Sequence, residues 1–160
     1  MLFRSLWQMA SSRALPNVTF HHGSSLEVLP IILPRKSEPL LYWLDAHYSG
    51  SHTDGFENTC PVLGEIALLG LHKQISSSIV LIDDARLFCV PHDLAPKMDG
   101  WPKLREILAG LENYGLETFF YEDVVIALPD KNVHDFMDFL LPQVIKRQKR
   151  VYEFYSKSEI

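Results

Sequence analysis

Acidic residues at the ends of two apolar runs are the clearest chemical signal in this sequence. Asp45 closes the run LLYWLD, and Asp83 and Asp84 close SSIVLIDD. The carboxyl ends of neighbouring parallel strands lie at one edge of a sheet, where open α/β sheets bind ligands. Carboxylates held close together repel one another unless a cation lies among them, and hard oxygen ligands suit Mg²⁺ or Mn²⁺. The sequence therefore predicts a metal site at Asp45, Asp83 and Asp84. The alternative is that Asp83 or Asp84 caps the turn that follows it.

A histidine follows the first of these acids. His47 lies at the start of the polar stretch AHYSGSHTDGFENTCP, which is too long for a tight connection and has the composition of a functional loop. Because imidazole titrates near neutral pH, His47 is a candidate catalytic base, and His52 lies further along the same loop. The alternative for either residue is a solvated loop histidine.

Motifs of the common nucleotide-binding loops are missing from the sequence. No two of the 8 glycines stand at G-x-G spacing, so neither the dinucleotide fingerprint nor a P-loop is present. A G-x-S-x-G nucleophile elbow is also missing. The nearest feature to an anion site is HHGSS, where a turn leads into a helix with exposed N–H groups.

Composition narrows the class of protein. The 160 residues are 47% hydrophobic and 22% charged, with a formal net charge of -5. A chain of this length buries roughly 70% of its unfolded surface, so its core needs no disulfide. The negative charge argues against nucleic-acid binding, and no apolar run reaches the roughly 18 residues of a membrane span. Cys60 and Cys89 have no disulfide or zinc spacing, which predicts free thiols in a reducing, cytoplasmic compartment.

Hydrophobic spacing predicts alternating helices and strands in the first half of the chain. The predicted elements are a helix over residues 2–14, a strand over 18–20, a helix capped by Ser25, a strand at LLYWL, a helix over 61–73 and a strand at SSIVLI. The helix over 61–73 would carry Val62, Ile66 and Leu69 inward. The nearly continuous apolar character of LLYWL predicts a strand that is buried on both faces.

The second half completes an α/β pattern. A helix over residues 102–115 starts with proline and ends at Gly115. ETFFYEDVVIALPD then holds two strand-like runs that only Glu122 and Asp123 separate, which predicts an antiparallel hairpin. In a last helix over 133–155, Pro142 is expected to cause a kink or a break. The predicted fold class is α/β, a mostly parallel sheet with a C-terminal antiparallel hairpin and helices on both faces.

Five segments in this order resemble a known family. PNVTFHHGSSLEVLP, LYWLDAHYSG, CPVLGEIALL, IVLIDDARLF and YEDVVIALP are similar to the later strands of class I S-adenosylmethionine-dependent methyltransferases, especially the metal-dependent macrocin O-methyltransferase type. The resemblance covers about residues 15–130. It implies a Rossmann-like fold, with Asp45, Asp83 and Asp84 as ligands of Mg²⁺ or Mn²⁺, and with Ser24 near the adenine of S-adenosylmethionine.

The chain departs from that family at its start. The first strand, the glycine-rich turn and the helix that hold the methionine part of the cofactor have no counterpart, so we expect a single, N-terminally truncated domain over residues 1–160 with little methyl transfer of its own. The leading hypothesis is metal-assisted methylation of a sugar or small-molecule hydroxyl. A catalytically dead binding or assembly module that forms homo-oligomers through an exposed sheet edge is a second hypothesis, and a metal-dependent hydrolase is a third.

Overall fold

Four strands form one mixed sheet. The computed structural model describes residues 16–45, 60–89 and 101–157. Its strands are β1 (Leu41–Leu44), β2 (Ile79–Ile82), β3 (Leu116–Tyr121) and β4 (Val124–Pro129). They lie in the order β1-β2-β4-β3. β1 and β2 are parallel, whereas β4 is antiparallel to both of its neighbours.

Four α-helices accompany the sheet in the described ranges. They are α1 (Ser25–Ile32), α2 (Val62–Leu69), α3 (Leu104–Glu112) and α4 (Val133–Lys157). α2 lies between β1 and β2 along the chain and so belongs to the crossover that two parallel strands require. These elements confirm the predicted α/β class.

The sheet is less parallel than the sequence predicts. Of its three strand pairings in the described part of the chain, one is parallel and two are antiparallel. The predicted hairpin is confirmed, because β3 and β4 are joined at Glu122 and Asp123, and Glu122 has the positive φ of 54° that tight hairpin turns need. β4 returns from this turn and inserts between β3 and β2. Its direction therefore opposes both neighbours, and the parallel character is confined to β1 and β2.

Helices pack against both faces of the sheet, as predicted. One face carries Tyr42, Val80 and Ala127 into a common core with α2 and α3. The helix residues of this core include Val62, Ile66 and Leu69, which confirms the predicted inward face of α2, together with Ile107 and Leu111. On the other face, the rings of Phe119 in β3 and Phe136 in α4 have centroids 5.4 Å apart. Burying apolar surface in this way is the main stabilising contribution to the fold.

β1 is buried on one face only. Tyr42 and Leu44 are buried, whereas Leu41 is 65% exposed and Trp43 is 53% exposed. The prediction that this strand is buried on both faces was wrong. In the described residues β1 pairs only with β2, so it is an edge strand. α4 packs on β3, which is the last strand on the other side of the sheet order.

The segment before α1 also differs from its prediction. Residues 18–20 form no strand, and Val18 and Phe20 are each 42% exposed. A strand needs a neighbour for its N–H and C=O groups, and in the described part of the chain this segment pairs with none. Ser24, not Ser25, is the N-cap of α1, because its side-chain oxygen accepts a hydrogen bond from the Leu26 N–H at 3.3 Å. The predicted helix over residues 2–14 lies outside the described residues.

α4 continues through its proline. The helix runs unbroken from Val133 to Lys157 with Pro142 inside it, so the proline does not divide it. Within the described residues, no helix combines the length and the apolar composition needed to cross a membrane.

A buried polar network joins β1 to the turn that follows α2. His72 is fully buried, and its Nδ1 lies 2.7 Å from the hydroxyl of Tyr42. Its Nε2 lies 3.0 Å from the carbonyl oxygen of Glu38. A carbonyl can only accept, so Nε2 donates to it, and in the neutral ring with this tautomer Nδ1 accepts a hydrogen bond from the Tyr42 hydroxyl. The network holds the chain before β1 and β1 itself against the end of α2.

Candidate functional site at the carboxyl edge of β1 and β2

Asp45 and Asp83 lie at the same edge of the sheet. They directly follow Leu44 and Ile82, which are opposite each other in the parallel pair. The backbone N–H of Asp83 donates to the carbonyl of Leu44 at 3.0 Å, which extends the ladder to this point. Asp45 is exposed and Asp83 is half-buried. The placement of these two acids at one carboxyl edge, as the apolar runs predict, is confirmed.

Asp84 joins a different set of contacts. Its φ of 53° lies in the left-handed region, and its backbone N–H donates to Oδ1 of Asp83 at 2.8 Å. Its carboxylate Oδ1 lies 2.7 Å from a guanidinium nitrogen of Arg86. Arg86 also forms an ion pair with Asp123 in the β3–β4 turn, and its backbone N–H donates to Oδ1 of Asp123 at 2.9 Å. Asp84 is thereby linked through Arg86 to the hairpin, and Asp83 accepts a hydrogen bond from the backbone of Asp84.

The metal site predicted from the sequence is not assembled by these contacts. Among residues 16–45, 60–89 and 101–157, no three His, Cys, Asp or Glu side chains are placed to hold a metal ion. Asp84 is directed to Arg86, whose positive charge takes the place that a cation would have beside this carboxylate. Binding of Mg²⁺ or Mn²⁺ therefore stays a prediction, and we derive no reaction step through the metal.

Mn²⁺ binding to the Asp83→Asn variant tests that prediction. If the edge holds a cation, removing one carboxylate is expected to weaken Mn²⁺ binding by about tenfold or more, as measured by titration calorimetry. Asp130→Asn is the matched control, because Asp130 is exposed and follows β4 at the opposite edge of the sheet. Equal Mn²⁺ uptake by the wild type and by Asp83→Asn would contradict a metal at this edge.

The roles of two further predicted site residues are not tested by the structure. Ser24 is exposed, and its hydroxyl caps α1, so its role near a cofactor adenine stays a prediction. His47, the predicted base, lies outside the described residues, as does His52.

A small cavity lies beneath the acidic edge. Its volume of about 10 Å³ has room for one water-sized group. Its polar groups come from Cys60, Glu65 and Asp83, and its apolar walls from Leu44, Val62, Ile82 and Phe88. The cavity therefore connects the half-buried Asp83 at the sheet edge to side chains of the core.

Glu65 is the unusual group in this cavity. It is only 2% exposed, and its Oε2 has no hydrogen-bond partner among the described residues. Burial raises the pKa of the Glu65 carboxyl, and a hydrogen bond with the Ser25 hydroxyl lowers it in part. Burial also raises the pKa of the Cys60 thiol, and the nearby Glu65 raises it further. Cys60 is thus favoured as a neutral thiol and is not an activated nucleophile.

Glu65 and Cys60 were not identified as site residues from the sequence. The signal for Glu65 is its position in α2, three residues after Val62 and four before Leu69, on the same face as Ile66. A carboxyl group on the inward apolar face of a helix is uncommon and marks a position for closer examination. Cys60 and Cys89 are free thiols, as predicted.

Comparisons with known proteins identify no relative. Protein-family models, curated proteins and solved structures were each compared with the chain, and none matches. The similarity to methyltransferases accordingly depends on the five sequence segments alone.

Proposed function

We propose that this chain is an S-adenosylmethionine-dependent, metal-assisted O-methyltransferase-like protein that binds the hydroxyl of a sugar or another small molecule. The observation that carries the proposal is that Asp45 and Asp83 lie side by side at the carboxyl ends of two parallel strands. Beneath them is a cavity that Glu65 lines. The reaction type comes from the resemblance. The proposal includes a Rossmann-like fold, for which the β1–α2–β2 unit is the supporting element.

The residues at this edge suit the binding of an acceptor hydroxyl. Carboxylate oxygens accept hydrogen bonds from hydroxyl groups, so Asp45 and Asp83 can bind and orient such a group. O-methylation would join the acceptor oxygen to the methyl carbon as the bond of that carbon to the cofactor's sulfur breaks, leaving S-adenosylhomocysteine, and the hydroxyl proton would pass to a base. Within the proposal His47 is the candidate for that base. When bound, S-adenosylmethionine supplies the methyl group.

The described residues offer little to the cofactor itself. Ser24 already accepts a hydrogen bond from the first turn of α1, and the sequence has no G-x-G turn where a main chain could approach the amino acid end of the cofactor. Each charge-assisted hydrogen bond that is not made costs about 1.5 to 3 kcal/mol. We therefore expect weak binding of S-adenosylmethionine and little methyl transfer by these 160 residues.

Binding of S-adenosylmethionine tests the proposed function. In saturation-transfer NMR with the whole chain and S-adenosylmethionine, we expect signals from the adenosine protons, reduced in Ser24→Ala. Ser37→Ala is the matched control, because Ser37 is also exposed but lies in the segment after α1. The absence of any cofactor signal from the wild type would contradict the methyltransferase proposal.

A binding or assembly module is the second candidate function. The observation that favours it is the exposed apolar pair Leu41 and Trp43 on edge strand β1, because unpaired strand edges and exposed apolar patches promote association. Sedimentation velocity of the wild type and Trp43→Ser distinguishes the candidates: a homo-oligomer that Trp43→Ser dissociates, with no cofactor signal, would favour the module.

A further inference from the structure

The cavity between α2 and the carboxyl ends of β1 and β2 contains an incomplete hydrogen-bonding site. A buried polar atom without a partner destabilises a protein, and native structures have few of them. Oε2 of Glu65 is such an atom among the described residues, and Glu65 is only 2% exposed. The cavity that Glu65 lines is large enough for one water-sized group. The missing partner therefore has the size of a single hydroxyl or water.

The chemistry of the two acids favours a hydroxyl group. A hydroxyl can both donate and accept, so it satisfies Glu65 whether this carboxyl is ionised or protonated. An ammonium group can only donate, so it cannot accept a hydrogen bond from a protonated carboxyl. Three protein ligands for a metal ion are not present in this part of the described chain. A hydroxyl has one proton to donate. If it donates to Asp83, it can satisfy Glu65 only by accepting, and if it donates to Oε2 of Glu65, Asp83 is left to another group of the same ligand.

Asp83 is the most exposed of the polar residues that line the cavity. Asp83 is half-buried and stands at the sheet edge, whereas Glu65 and Cys60 lie deeper. A hydroxyl on a small molecule bound across the edge can thus enter past Asp83 while the rest of the molecule stays outside. We infer that Glu65 and Asp83 form a subsite for one hydroxyl of a sugar or similar polyol, with Glu65 as a specificity-determining residue. This inference deepens the proposed function and rests on its acceptor class.

Single-hydroxyl deletions in a sugar probe test the subsite. The probes are methyl α-D-glucopyranoside and its mono-deoxy analogues, and the readout is affinity from saturation-transfer NMR without S-adenosylmethionine. For the wild type we expect one deoxy analogue to bind at least about tenfold more weakly than the parent sugar, because the hydroxyl that this analogue lacks is the one that pairs with Glu65. In Glu65→Met, which matches glutamate in length but has no carboxyl, that difference between analogue and parent is expected to disappear.

Two further variants keep the result interpretable. Glu65→Gln retains a donor and an acceptor at the same place, so we expect it to preserve the discrimination, and circular dichroism checks that each variant is folded. Glu112→Met is the matched control on an exposed position of α3. Equal discrimination in the wild type and Glu65→Met would overturn the subsite, as would wild-type protein that binds none of these sugars and holds only water there. Sugar binding that depends on Glu65, without any cofactor signal, would support the subsite and contradict the methyltransferase.

Discussion

Replacing His72 with phenylalanine is expected to lower the free energy of unfolding by about 3 kcal/mol. The ring has a similar shape, so the main loss is of two hydrogen bonds. The buried hydroxyl of Tyr42 loses its acceptor at 2.7 Å, and the carbonyl of Glu38 loses its donor at 3.0 Å. Each of these two groups loses its partner, and a buried polar group left unpaired costs about 1 to 3 kcal/mol.

The hydroxyl of Tyr42 remains a hydrogen-bond donor to His72 over a wide pH range. Burial raises the pKa of Tyr42 to about 12, so its hydroxyl stays protonated at any ordinary pH and is available as the donor to Nδ1 of His72. The loss in His72→Phe is therefore expected to be similar from pH 7 to pH 9, since this donor does not titrate there.

A double-mutant cycle with Tyr42→Phe measures the coupling. Urea unfolding of the wild type, both single variants and the double variant gives four free energies of unfolding. Because the double variant replaces both partners by apolar rings, its loss is expected to be smaller than the sum of the two single losses. Losses that simply add would show that Tyr42 and His72 do not interact energetically, and would contradict the network.

The second large effect is a dependence of stability on pH that originates at Glu65. At pH 7, Glu65→Met is expected to raise the free energy of unfolding by about 1 to 2 kcal/mol, because it removes a buried carboxyl with an unpaired oxygen. A residue that reduces stability at its own position is typical of functional sites, where a ligand completes the missing contacts.

The sign of the pH dependence follows from the raised pKa of Glu65. In the unfolded chain this carboxyl titrates near its ordinary value of 4.5, and burial raises the pKa in the folded chain. The folded state therefore binds the proton more tightly, and folding is favoured while the group is protonated. Below pH 4.5 both states are protonated and this contribution is fully present. This contribution is lost as the pH rises through the pKa that Glu65 has in the folded chain. The free energy of unfolding of Glu65→Met therefore exceeds that of the wild type by an amount that grows from about pH 4.5 upward.

Urea unfolding of the wild type and Glu65→Met across this pH range measures the effect. The other titratable groups that line the cavity, Asp83 and Cys60, are present in both proteins. Because Glu65 raises the pKa of the Cys60 thiol, the comparison is made at pH 7 and below, where that thiol is neutral in both proteins. Glu112→Gln, at an exposed position, is expected to give a difference that hardly changes with pH. If the difference in free energy of unfolding between the wild type and Glu65→Met stays constant with pH, the ionisation of Glu65 is not coupled to folding.

The local pattern of the sequence determined most of the elements and part of the site. Apolar runs that end in acid correctly located β1 and β2 and brought Asp45 and Asp83 to one edge. The two-residue separation at Glu122 and Asp123 correctly predicted the hairpin, because so short a connection permits only an antiparallel return. These predictions succeed because they depend on residues that are close along the chain.

Only the tertiary structure decided what depends on distant partners. Arg86 and Asp123 are 37 positions apart, and their contact links Asp84, through Arg86, to the β3–β4 hairpin. The insertion of β4 beside β2 makes the sheet mixed, and it is a pairing that no local spacing specifies. The burial of Glu65 depends on how α2 lies over the ends of β1 and β2. Periodicity determines which face of an element is apolar, but the partner of a polar group is determined by packing, since hydrogen bonds and ion pairs form only over a few ångströms.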